Sequence, residues 1–197
     1  MAANNNTVIT ITGAAVTSVD EISNPKGPWI VTTSNEVVTV MITNAGQFYD
    51  IILEGPAVFQ ASQPIQVAQF ANGTEFDGEI GSDPCEILLL LTGHYLSYYT
   101  VYVPPSDYLF DPNYLNLMVP QTAIGTTVVD GALVAATNFV AIAGSGYYGA
   151  QIQVEAGTHT VNSSQPVEVQ VYGFGDQYGF GNGGAYDAYG YFGGVVK

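Results

Sequence analysis

The sequence predicts an all-β protein of two related β-sandwich units with no significant helix. Three observations carry this expectation. Apolar residues recur with a period of two along almost the whole chain, no stretch shows a capped 3.6-residue stripe, and one short string occurs twice. The string is Ser62-Gln63-Pro64-Ile65-Gln66-Val67-Ala68-Gln69-Phe70 in the first half and Ser164-Gln165-Pro166-Val167-Glu168-Val169-Gln170-Val171-Tyr172 in the second. Each copy follows a small turn, Asn44-Ala45-Gly46 and Glu155-Ala156-Gly157 respectively.

Taken in order, Thr7–Thr12 alternates and ends at Gly13, and the β-branched runs Trp29–Thr33 and Glu36–Thr43 follow. Turn chemistry separates them at Asn24-Pro25-Lys26-Gly27-Pro28, Ser34-Asn35 and Asn44-Ala45-Gly46. Further strands are predicted at Phe48–Leu53, Ala57–Ala61, Ile65–Phe70, Glu86–Leu91, Tyr98–Val103, Tyr114–Val119 and Thr126–Val129. Phe139–Ile142, Ala150–Val154, Thr158–Val161 and Val167–Tyr172 complete the set. The aliphatic run Ile87–Leu91 is too short for the ~20 residues of a membrane span and is read as a core strand. Pro104-Pro105 cannot donate into a central ladder, which puts a seam there. The expected organisation is a first unit over 1–103, a second over 104–175, and a Gly/Tyr-rich segment over 176–197 docked on the body or on a neighbour.

Composition bounds the function. Hydrophobic residues make up 47% of the chain and charged ones only 10%, so enough apolar surface exists to offset chain entropy and the chain is globular. Seventeen acidic residues face two lysines, Lys26 and Lys197, and no arginine, for a net charge of −15. A field of that sign repels phosphate, which excludes nucleic acid as a partner and disfavours anionic membranes. It favours hard cations and cationic or neutral partners such as glycans. Cys85 is the only cysteine, so no intrachain disulfide forms, and a buried small hydrophobe is its expected role. The N-terminus has neither a basic region nor an apolar signal segment, from which synthesis without a cleaved signal peptide is expected.

The order of short motifs carries a family resemblance. Tyr108 to Pro120, then Val129-Asp130-Gly131, Ala141-Ile142-Ala143-Gly144-Ser145-Gly146-Tyr147, Glu155 to Val161 and Val171-Tyr172-Gly173-Phe174-Gly175, resemble the repeat unit of the IgGFc-binding protein family. Asn44 to Tyr49 and Ser62 to Val67 resemble it in the first half. The resemblance implies an extracellular, non-catalytic, β-rich module used in adhesion or surface display, and it carries over no ligand residue.

Catalytic constellations are sparse. His94 and His159 are the only histidines and both are read as structural. Gly144-Ser145-Gly146 is a glycine-flanked turn without the G-x-S-x-G pattern, and no oxyanion element accompanies Cys85 and His94. Glu75, Asp77, Glu79 and Asp83 gather enough carboxylates to suggest Ca²⁺, although their spacing departs from a calcium loop and a solvated acidic loop is the simpler reading. Tyr147, Tyr148, Tyr178, Phe180, Tyr186, Tyr189 and Tyr191 are the aromatic candidates for an interface or a glycan, since tyrosine gives contact area with few rotatable bonds.

Three readings follow. The first is a virion decoration, fibre or tail component on the particle exterior. It would form a homo-oligomer, its N-terminal strand and Gly/Tyr segment docking into neighbouring structural subunits, with a host-surface receptor or glycan as partner. The second is an extracellular or cell-surface adhesin domain of the same family. The third is a hydrolase or lyase using the acidic loop.

Overall fold

The structure is a computed structural model in which residues 1–13, 15–18, 29–34, 37–71, 84–104, 110–142, 144–175 and 188–194 are described. Its regular structure among these residues is β throughout, apart from single turns of 3₁₀ helix. The chain divides into two compact units, Met1–Val67 with Ala141–Gly146, and Ala68–Val140 with Tyr147–Lys197.

The first unit is built on a four-stranded antiparallel sheet. Strand β1 (Thr7–Thr12) pairs with β4 (Val37–Ile42) on one side and β6 (Val58–Ala61) on the other, while β3 (Trp29–Ser34) lies outside β4. A separate short pair joins β2 (Ala15–Ser18) to β5 (Ile52–Glu54). Alternation decides the core: Ile9, Ile11, Val38, Val40 and Ile42 point to one face and are buried, and Ile51, Leu53, Phe59 and Ile65 pack against them. The N-terminus is fastened within this unit. The Met1 ammonium donates to the Gln66 carbonyl at 2.8 Å, the Ala2 N–H donates to Gln47 O at 2.9 Å, and Ala2 bridges Ile65. With partners on both edges, β1 has no free edge for the neighbouring subunit that the sequence reading gave it.

The second unit begins with the hairpin of β7 (Ala68–Phe70) and β8 (Glu86–Leu88). Its main strands are β9 (Leu96–Val103), β10 (Phe110–Pro120), β11 (Val128–Val129), β12 (Ala132–Leu133), β14 (Tyr147–Val154), β15 (Gly157–Gly175) and β16 (Ala188–Phe192). The two-residue β13 (Val140–Ala141) falls at the division between the units. The 19-residue β15 organises everything else. Its first half pairs with β9 and β11, and its second half with β10 and β16, while β14 pairs with the far side of β10. Inward residues from both halves meet in one core of Val161, Val167, Val169 and Val171 with Tyr99, Val101 and Val103 of β9 and Leu115, Leu117 and Val119 of β10.

The change of partner occurs at Ser163-Ser164-Gln165-Pro166, where the β9–β15 register breaks between Asn162 and Val167. Pro166 has no N–H to offer a ladder, and serine hydroxyls take over. Thr126 Oγ1 lies 2.6 Å from Ser164 Oγ, and the buried Thr127 lies 3.1 Å from Ser163 Oγ. The other Ser-Gln-Pro copy also sits at a break. Pairing of β6 with β1 ends at Ala61 and resumes at the Ile65–Ala2 bridge, with Ser62 Oγ accepting from the Val8 N–H at 2.9 Å. Both copies of the string thus lie at a break in strand pairing, with different partners and a different strand order in the two units.

Three sequence expectations change. The second unit starts at Ala68, and the position expected as the seam, next to Pro104, lies inside it, because β9 is bound along β15. Ile65–Phe70 forms a strand only from Ala68, since Ile65 is taken by Ala2. Ile87–Leu91 is not a core strand: β8 ends at Leu88, only Ile87 is buried, and Leu88 and Leu91 are 49% and 67% exposed because the chain turns into a 3₁₀ segment at Thr92.

Candidate binding site

Two surfaces of the second unit combine fixed geometry with accessible side chains. The first is built on the β11–β12 hairpin. Asp130 and Gly131 form its turn, with φ of 50° and 78°. A two-residue turn with both φ positive is the geometry that matches strand twist, and Asp-Gly is among its preferred sequences. The Asp130 carboxylate turns back onto β15. Oδ1 accepts the Thr160 N–H at 2.7 Å, and Oδ2 lies 2.6 Å from Nδ1 of His159. Nε2 of His159 is engaged as well, 2.7 Å from the Glu155 carbonyl. Burial pushes the Asp130 carboxyl upward, but the hydrogen bonds from His159 and Thr160 outweigh it and hold the group below the ordinary carboxylate range. Alongside runs a groove of about 480 Å³ bounded by the hairpin and by Ile152–Glu155. Leu133 projects at its rim, 60% exposed.

The second surface is the outer face of β9 and the adjoining half of β15. Tyr98 and Tyr102 are each 55% exposed, and Thr100 lies between them. Across the ladder they face Asn162, Thr160 and Thr158. The side chains of this patch are hydroxyls, an amide and two aromatic rings, with the Asp130 carboxylate at its margin, where Oδ1 accepts from the N–H and hydroxyl of Thr160. It is also braced. Thr100 Oγ1 donates to the Tyr98 hydroxyl at 3.0 Å, and the Tyr102 N–H and C=O are both bonded by the hydroxyl of Tyr191, at 2.9 and 2.5 Å.

The remaining candidates are placed as follows. Tyr147 and Tyr148 lie half-buried at the start of β14, Tyr148 against the core. Tyr189 and Tyr191 act inside the chain as pegs that fasten β16. Tyr189 donates to Asn113 Oδ1 at 2.8 Å and meets Phe110 edge-on at 4.9 Å. Burial, and next its neighbour Tyr191, raise the Tyr189 hydroxyl. Tyr178, Phe180 and Tyr186, and all four proposed calcium ligands, Glu75, Asp77, Glu79 and Asp83, lie outside the described residues. Among the described residues no group of three or more His, Cys, Asp or Glu side chains is arranged to hold a metal. The period-two pattern that marks the predicted strand Tyr98–Val103 also places Tyr98 and Tyr102 on one face.

A third cluster lies behind the core. Glu168 and Gln170, on the opposite face of β15 from the core valines, are buried. Tyr95 donates to Glu168 Oε2 and Gln170 to Oε1, each at 2.6 Å. Burial holds the Glu168 carboxyl above its ordinary range, and the two donated bonds oppose the shift only in part.

The groups considered for nucleophilic chemistry are otherwise engaged. Ser145 donates to the Ile142 carbonyl at 2.7 Å. Burial pushes the Cys85 thiol up, away from the thiolate, against a smaller opposing effect of its backbone bond with Ala71. His94 is exposed on a 3₁₀ turn.

No helix among the described residues is long and apolar enough to cross a membrane. No curated protein and no solved structure matches the chain. A family model described as IgGFc binding protein matches residues 1–173.

Proposed function

Because the chain belongs to the IgGFc-binding protein family, we propose that it is a non-enzymatic adhesive module working outside the cell, which holds a neutral, hydroxyl-rich partner such as a glycan on the outer face of β9 and β15. The observation that carries this reading is the run of uncharged side chains Tyr98, Thr100, Tyr102, Thr158, Thr160 and Asn162 on a chain whose net charge is −15. Sugar rings stack on tyrosine faces and bond to hydroxyls and amides, and they need no counter-charge. Tyr98 and Tyr102 stand four residues apart on one strand, about 13 Å at the usual rise. That span admits two or three sugar rings of an extended chain.

Engagement of the buried histidine accords with the non-enzymatic part. His159 has both ring nitrogens committed, so it cannot take a proton from substrate without breaking the hairpin contact. The family match supports the surface-adhesin alternative over the virion role that the sequence reading put first. The family name describes the family and supplies one partner to test.

The test is a glycan microarray probed with the wild-type chain and with the Tyr98→Ala/Tyr102→Ala double variant, with the IgG Fc fragment immobilised beside it. Binding to neutral glycans that the double variant loses would support the reading. Fc binding that survives the double variant, or glycan binding unchanged by it, would move the contact elsewhere and refute this face.

A further inference from the structure

We propose that the groove between the β11–β12 hairpin and the end of β14 docks an extended protein segment carrying a lysine or arginine flanked by aliphatic residues. This surface meets the glycan face at the Asp130–Thr160 contact, but its occupant and its test are independent of that reading.

Charge complementarity selects the occupant. The described lining includes the carboxyl residues Asp130 and Glu155 and contains no lysine or arginine. Asp130 is 45% exposed at its side chain but has both oxygens turned onto β15, where they meet His159 and Thr160, so Glu155 is the lining carboxyl that a basic head would reach. Glu155 is exposed at the other bank, and its carbonyl holds His159 from the opposite side. His159 therefore ties both banks together at a set separation. A net charge of −15 draws a cationic segment toward the whole chain.

The apolar part of the lining selects the flanking residues. Leu133 stands 60% exposed and lines the groove together with the half-buried Ile152 and Val154. A basic side chain suits such a mixed surface, because its methylene stem packs on aliphatic groups while its head reaches a carboxylate. A volume of about 480 Å³ holds a few side chains and no folded domain.

The experiment uses the full chain and a seven-residue peptide of alternating valine and threonine with a central lysine, followed by calorimetry and by the Leu133 methyl and His159 ring signals in NMR. Glu155→Gln and Leu133→Ser should each weaken binding about tenfold, the loss of one charge-assisted bond or one apolar contact. Glu86→Gln removes the same charge from the exposed start of β8 and should change binding by less than about twofold, as exposed charges do. A peptide with glutamate in place of the lysine should not bind. Equal weakening by Glu155→Gln and Glu86→Gln would mean attraction to the overall charge alone and would overturn the site. So would the absence of binding, or binding that leaves the Leu133 and His159 signals unmoved.

Discussion

Gly190 offers a substitution whose sign should reverse with its background. A Cβ built at Gly190 would lie 2.5 Å from Ile87 Cδ1, 2.6 Å from Ile87 Cγ1 and 3.4 Å from Cys85 Sγ. The first two distances are too short for real atoms, so Gly190→Ala must push the buried Ile87 out of its site. Overpacking of this kind costs about 1–3 kcal/mol. Ile87→Ala alone removes a side chain that is 5% exposed and should cost about 2–5 kcal/mol. Once Ile87 is an alanine, both offending atoms are gone. Gly190 does not adopt a positive φ, so an alanine there carries no backbone strain. It would then stabilise by about 0.4–1 kcal/mol through the unfolded chain. The two substitutions should therefore couple by about 1.4–4 kcal/mol. Urea unfolding of the four proteins, read as midpoints at unchanged slope, measures this directly. If Gly190→Ala destabilises equally in both backgrounds, β16 does not pack on β8 as described.

Two carboxyl groups should shape the pH dependence in opposite senses. Folding holds Asp130 below its ordinary range, so its contribution is present above about pH 4 and lost as the pH falls through the lower folded value. The stability lead of wild type over Asp130→Ala should shrink on acidification, and a lead that is constant from pH 6 to pH 2 would refute the His159–Asp130 contact. Burial holds Glu168 above its ordinary range. Its contribution is then greatest below about pH 4.3 and lost as the pH rises through the folded value. Relative to wild type, Glu168→Gln should unfold at a higher urea midpoint at pH 7.5 than at pH 4.5, and a pH-independent difference would count against the burial of this carboxyl.

Strands whose two faces have different surroundings were legible in the sequence. β1, β4, β9 and β10 each alternate in burial, and polar residues such as Thr10, Thr39, Thr100 and Asn116 fall on the less buried face. Alternation misleads where burial does not alternate. Val167 through Val171 are buried on both faces of β15, so Glu168 and Gln170 looked like solvent positions while they form a hydrogen-bonded layer with Tyr95. The unbroken length of β15 was equally hidden. Pro166 reads as a stop, and only the hydroxyls of Thr126 and Thr127 show how the strand crosses the break. The binding candidates fared unevenly for a related reason. Tyr189 and Tyr191 sit in a glycine-rich segment of flexible composition, yet Gly190 and Gly193 are small because Ile87 and Tyr99 press on them. Composition registers the glycines, while the packing that requires them depends on residues far away in the chain.

The family match stops at residue 173, and β16 begins at Ala188. The described fold does not stop there. β16 covers the side of β15 from Gln170 to Phe174, and its Tyr191 hydroxyl occupies backbone groups of β9 at Tyr102. Cutting the chain where the shared pattern ends would strip the margin of β15 and free the backbone groups of Tyr102, leaving unpaired N–H and C=O groups as a template for pairing with other chains. An expression fragment ended at 173 should therefore be aggregation-prone even though every residue of the recognisable pattern is present. The C-terminal strand therefore closes an edge of β15 that the matched span alone leaves open.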